Sequence, residues 1–85
     1  MKIGREFLLD DIKLLQKFVQ FTSKYEEDVI VGLGRYQVNG KSLLGLLSLD
    51  LSKYVTVFVD SNALKGTRIL DEIEEMINHA KNDKS

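Results

Sequence analysis

Between Asn39 and Leu49 the chain reads Asn-Gly-Lys-Ser-Leu-Leu-Gly-Leu-Leu-Ser-Leu, and this stretch limits the fold more than any other. Gly40 punctuates the approach, and Ser42 is a good N-cap because its hydroxyl accepts a hydrogen bond from a free amide of a first helical turn. A short helix is therefore predicted from Ser42 to about Leu49, with the small Gly45 inside it. Leu43, Leu44, Leu46, Leu47 and Leu49 cannot all face one core from so short a helix, so some apolar surface is expected outside.

The flanking segments supply layers for that helix to pack on. Asp10 or Asp11 suits an N-cap, and Ile12, Leu15, Val19 and Thr22 then recur at helical spacing, while Lys13, Gln16, Lys17, Gln20 and Lys24 mostly take other faces. Leu14, Phe18 and Phe21 widen the apolar stripe. Asp28 to Val31 is short and β-branched, Gly32-Leu33-Gly34-Arg35 offers a turn, and Tyr36 to Val38 alternates, which predicts a β-hairpin. Val55 to Val59 alternates valines and ends at the turn and cap cluster Asp60-Ser61-Asn62. A last helix is predicted from about Leu64 to Ala80, with Ile69, Leu70, Ile73 and Ile77 on its core face. With a first strand inside Met1 to Leu9, the order is β-α-β-β-α-β-α. This predicts an α+β open-faced sandwich, a four-stranded antiparallel sheet with three helices on one face.

Composition removes several function classes. Eighty-five residues make one domain, expected over residues 1–80 with 81–85 as a frayed polar tail. Twelve basic against thirteen acidic residues leave no electrostatic footprint for nucleic acid or an anionic membrane, so the expected partners are proteins. There is no cysteine, and the single His79 builds no metal site by itself, so neither a metal nor a cofactor is expected. Met1 to Glu6 lacks the pattern of a signal peptide and no run of eighteen apolar residues occurs, so a cytoplasmic protein is expected. His79, Glu26-Glu27 and Glu74-Glu75 read as solvated charges. No acid/base pair, nucleophile constellation or glycine-rich phosphate loop is found, so the chain is not read as an enzyme.

The Asn39 to Leu49 pattern resembles the serine-bearing second helix of the HPr family, the small phosphocarriers of bacterial sugar uptake. Phe21-Thr22-Ser23-Lys24-Tyr25 is similar to the family's first-helix end, and Val55 to Val59 and the last helix fall where the family has them. The resemblance covers nearly the whole chain, weakest over Met1 to Phe7. It implies that Asp11 stands at the position of the family's phosphorylated histidine, with Lys13 at the nearby basic position. A carboxylate forms no phosphohistidine and repels an incoming phosphoryl group, whereas capping a helix is an ordinary task for it.

The resemblance also implies that Ser42 corresponds to a serine that an ATP-dependent kinase modifies in some family members. A phosphate there would face free amides and the positive end of the helix dipole, although serine is a favoured cap without any kinase. Lys41 is a single candidate partner for that phosphate. The implied partner surface comprises Lys13, Gln20, Leu43, Leu44, Leu47 and Ser48. A transcriptional regulator and an HPr-type serine kinase are the candidate partners, and the chain itself is expected as a monomer or weak homodimer. Asp50, Ser52 and Ser61 stand where relatives commonly have glycine, so turns around the last strand are expected to differ. The leading reading is a binding or regulatory protein that has lost histidine phosphoryl transfer. The alternatives are a phosphotransferase component with a non-histidine acceptor and an unphosphorylated structural or oligomerising domain.

Overall fold

A computed structural model describes residues 1–82 of the chain, and its seven elements follow the expected order. They are β1 (Lys2–Phe7), α1 (Ile12–Ser23), β2 (Val29–Leu33), β3 (Tyr36–Asn39), α2 (Leu43–Leu47), β4 (Val55–Asp60) and α3 (Ala63–Asn82). The strands form one antiparallel sheet in the order β1-β4-β2-β3. β4 is thus central although it is last in sequence, which leaves β1 and β3 as edges.

Period-2 alternation puts Val29, Val31, Val55, Val57 and Val59 on one sheet face, all buried. Over them pack Leu14, Leu15 and Phe18 of α1, Leu46 of α2, and Ile69, Leu70, Ile73 and Ile77 of α3, so all three helices share that face. The opposite face is uncovered. There the Phe58 ring lies across Gly4, where an added Cβ would come within 2.9 Å of it. On the helix side Gly66 does the equivalent job, since a Cβ there would meet Ile3 Cγ1 at 2.7 Å, and its absence lets α3 sit directly on β1.

Several boundaries and faces differ from expectation. Ile12 was expected in the α1 core stripe but is 52% exposed, and Val19 is only partly buried. Leu14, Leu15, Phe18 and Thr22 carry the buried stripe instead, because α1 is rotated toward α3 as well as the sheet. Gly32 and Leu33, expected in the turn, belong to β2. Leu33 pairs with Tyr36 across a two-residue turn whose Gly34 takes φ 60, the sign pattern of a II′ hairpin. α2 is shorter than predicted, ending at Leu47 with Ser48 as its C-cap. α3 continues through Lys81 and Asn82, inside the expected tail, whose remaining residues 83–85 lie outside the described ones.

Candidate functional site

Two helix starts carry the residues singled out in the sequence. Asp11 has extended backbone (φ −125, ψ 132), and its Oδ2 accepts from the Leu14 amide at 3.1 Å while its carbonyl accepts from Leu15 at 2.9 Å. The carboxylate therefore satisfies a free donor and opposes the positive helix end. Ser42 does the same for α2 with a neutral group. Its backbone is extended (φ −114, ψ 113), its hydroxyl accepts from the Gly45 amide at 3.1 Å, and its carbonyl accepts from Leu46 at 3.0 Å.

The approach to Ser42 is held from three sides. The Gly40 amide donates to the Val29 carbonyl at 2.7 Å, and a Cβ on Gly40 would meet Val29 Cγ1 at 2.8 Å, so this close passage requires glycine. From α1, the buried Thr22 hydroxyl reaches the Gly40 carbonyl at 3.1 Å. From β3, Asn39 accepts the Lys41 amide on its side chain (2.9 Å) and the Ser42 amide on its carbonyl (3.1 Å). Lys41, read from the sequence as a candidate phosphate partner, donates from Nζ to the Tyr25 carbonyl at 2.5 Å. One of the three donors of its ammonium is thus used by the chain's own backbone.

Past the cap, the leucines divide as a short helix requires. Leu46 is fully buried and Leu43 is partly buried, whereas Leu44 is 82% and Leu47 48% exposed. Ser48 donates its hydroxyl to the Gly45 carbonyl at 2.6 Å and closes the helix. Of the expected partner surface, Leu44, Leu47 and Ser48 are thus brought together beside Ser42. Lys13 and Gln20 are exposed on α1, which packs against α2. Leu43 faces inward more than expected. Among the described residues no hydrogen bond or ion pair joins Asp11 or Lys13 to Ser42.

Long-range polar contacts were not visible in the sequence. Glu27, read as solvated, pairs with Lys65 at 2.6 Å, and that hydrogen bond holds its carboxyl below the usual carboxylate range. Glu74 and Asp71 both receive Arg5 Nη1, at 3.1 and 2.9 Å. Burial and a hydrogen bond to Glu72 push the Tyr25 phenol up. Asp50 Oδ1 accepts from the Ser52 hydroxyl (2.6 Å) and amide (3.2 Å), a local turn that holds its carboxyl low. No non-glycine residue among those described has positive φ, so Asp50, Ser52 and Ser61 fill their turns without glycine's freedom. Among the described residues no group of histidines and carboxylates is arranged to hold a metal, and no helix is long and apolar enough to cross a membrane.

Residues 13–79 match the family model described as the PTS HPr component phosphorylation site. That match begins two residues beyond Asp11. The fold is similar to HPr-C-His from Thermoanaerobacter tengcongensis, with TM-score 0.74 and 20% identity over 100% of this chain and 99% of that one. It is similar to the phosphocarrier protein HPr from Bacillus anthracis, with TM-score 0.70 and 16% identity over 88% and 95% of the two chains. It also resembles Crh, the catabolite repression containing protein of Bacillus subtilis, which was solved as a domain-swapped dimer, with TM-score 0.64 and 22% identity over 93% and 85%. No curated protein sequence matches the chain.

Proposed function

This chain belongs to the HPr family, and on that premise we propose that it acts by binding other proteins around α2, with Ser42 as a phosphorylation switch and without histidine phosphoryl transfer. The observation that carries this reading is the exposure of Leu44 and Leu47 one turn after the Ser42 cap. Two large apolar side chains left in water beside a modifiable hydroxyl form a small docking surface beside which one phosphate would place a new negative charge.

Asp11 supports the second half of the reading. Its carboxylate is used in capping α1, and the chain's single histidine, His79, lies near the far end of α3. Without an imidazole at the α1 start, the phosphoenolpyruvate-dependent donor enzyme has no nitrogen there to phosphorylate. Phosphate on Ser42 would replace a neutral cap with a charged one, favoured by the same free amides. Main-chain amides are the groups to hold it, with the charge of Lys41 next in sequence, one of whose three donors goes to Tyr25.

The test treats the purified protein with an HPr-type serine kinase and ATP, and separately with the phosphoenolpyruvate-dependent donor enzyme, locating phosphate by mass spectrometry. Modification at Ser42 by the first and none by the second is the expected result. If Ser42 stays unmodified while a genuine HPr is fully modified, the switch fails. Stable labelling at Asp11 restores a phosphocarrier role.

A further inference from the structure

The end of α1 and the outer side of α3 enclose an open cleft lined by Phe21, Lys24, Glu72, Glu75, Met76 and His79. Its floor is apolar and comes from the partly buried Phe21 and Met76. Tyr25 meets the Phe21 ring edge to face, with centroids 5.7 Å apart, and donates its hydroxyl to Glu72 across the cleft. The α1 side is therefore aromatic and the α3 side acidic. Into this corner Lys24 puts its own ammonium, with Nζ 3.9 Å from the Phe21 centroid and 5.8 Å from that of Tyr25.

We propose that this cleft receives an arginine side chain of a partner protein, and that Lys24 holds the place in the free chain. Three features agree on a cation. The Phe21 ring already has one over its face, where the ring quadrupole attracts positive charge. The twelve-residue α1 ends at Lys24, so the negative end of its dipole lies at the same spot. Across the cleft stand two carboxylates. Among the described residues Glu75 makes no ion pair, and the Glu72 oxygen that Tyr25 does not use is open to a second donor.

Lys24 satisfies the ring but pairs with neither carboxylate. A guanidinium answers to both, because it is planar enough to stack on Phe21 and carries donors along its edge for Glu72 and Glu75. Lys24 is exposed on a flexible stem, so it swings aside and acts as an internal competitor whose removal frees the site. None of Leu44, Leu47, Ser48 or Ser42 lines the cleft, so the inference stands apart from the role proposed for Ser42.

The full chain is titrated with an acetylated and amidated tripeptide that carries arginine between two alanines, and with its citrulline counterpart, which keeps the shape and loses the charge. NMR follows the response. Saturable movement of the Phe21 ring and Met76 methyl signals is expected with the arginine peptide and none with the citrulline one. Glu75→Gln should loosen binding about threefold, and Phe21→Leu about three- to fivefold. Lys24→Ala should instead tighten it about threefold, since the competitor is gone. Circular dichroism checks the fold of each variant, and because Lys24 and Glu75 are exposed their variants decide the matter even if Phe21→Leu unfolds. The absence of saturable movement overturns the proposal. So does an equal response to the two peptides, a Lys24→Ala variant that binds no tighter, or a Glu75→Gln variant that binds as well as wild type.

Discussion

The Thr22 hydroxyl lies 3.1 Å from the Gly40 carbonyl and 2.9 Å from the Phe18 carbonyl of its own helix, a buried oxygen between α1 and the turn that leads into α2. Its one proton is shared between those acceptors, and neither is reached by water there. The last turn of α1 and the cap of α2 are thereby fixed relative to each other.

Replacing Thr22 by valine keeps the shape and removes the donor. We expect Thr22→Val to lower stability by about 1–3 kcal/mol, with Thr22→Ser recovering most of it. Urea denaturation of the three proteins measures both.

The leucines of α2 should separate by burial. Leu46→Ala should cost about 2–5 kcal/mol, since that side chain is fully buried. Leu44→Asp and Leu47→Asp should leave the urea midpoint nearly unchanged and abolish partner binding. Unfolding of both Asp variants would place these side chains in the core.

Ser42→Ala should cost about 1 kcal/mol through loss of the α2 cap, whereas Ser42→Asp keeps an acceptor for the Gly45 amide and should remain close to wild type. Thermal melts of both variants check this. Equal loss in both would mean that the acceptor for the Gly45 amide is not the source of the loss.

A methyl group on Gly66 would push against Ile3 Cγ1 at 2.7 Å and Ile3 Cβ at 3.1 Å, and a β-branched side chain near its own backbone yields little. Gly66→Ala should therefore destabilise by about 1–3 kcal/mol despite alanine's better helix propensity. The companion change Gly66→Ala with Ile3→Ala, compared by urea denaturation, should be milder than the sum of the two single changes.

The Lys65 to Glu27 pair makes an acid-side prediction. Its hydrogen bond lowers the Glu27 pKa in the folded state, so its stabilising effect is present above the ordinary value of 4.5 and lost as pH falls through the lower folded value. Wild type should melt above Glu27→Gln at pH 7, and the two should converge on acidification below about 4.5. A gap between their melting temperatures that persists at low pH would show that the pair's charge is not its source.

Local chemistry was legible in the sequence wherever one residue's type answers to its immediate neighbours. Asp11 and Ser42 were readable as caps because a cap bonds to an amide three residues on, and both do. Period-2 valines in β4 and helical spacing at Ile69, Leu70, Ile73 and Ile77 gave strand, helix and buried face. The surplus of leucines over one short helix face announced an exposed patch, and the family resemblance named Leu43, Leu44 and Leu47 for it, of which Leu44 and Leu47 are exposed and Leu43 is partly buried.

Only the tertiary structure decided what depends on orientation between elements. It turned Ile12 outward and Leu14 inward by packing α1 against α3, and it set β4 between β1 and β2. It also brought Lys41 to the Tyr25 carbonyl and paired Glu27 with Lys65. Spacing along a chain specifies which residues share a face but carries no record of what that face will meet. Partners far apart in sequence, such as Lys65 and Glu27 or Arg5 and Glu74, are set by the crossing of whole elements, and that crossing is the outcome of packing one core.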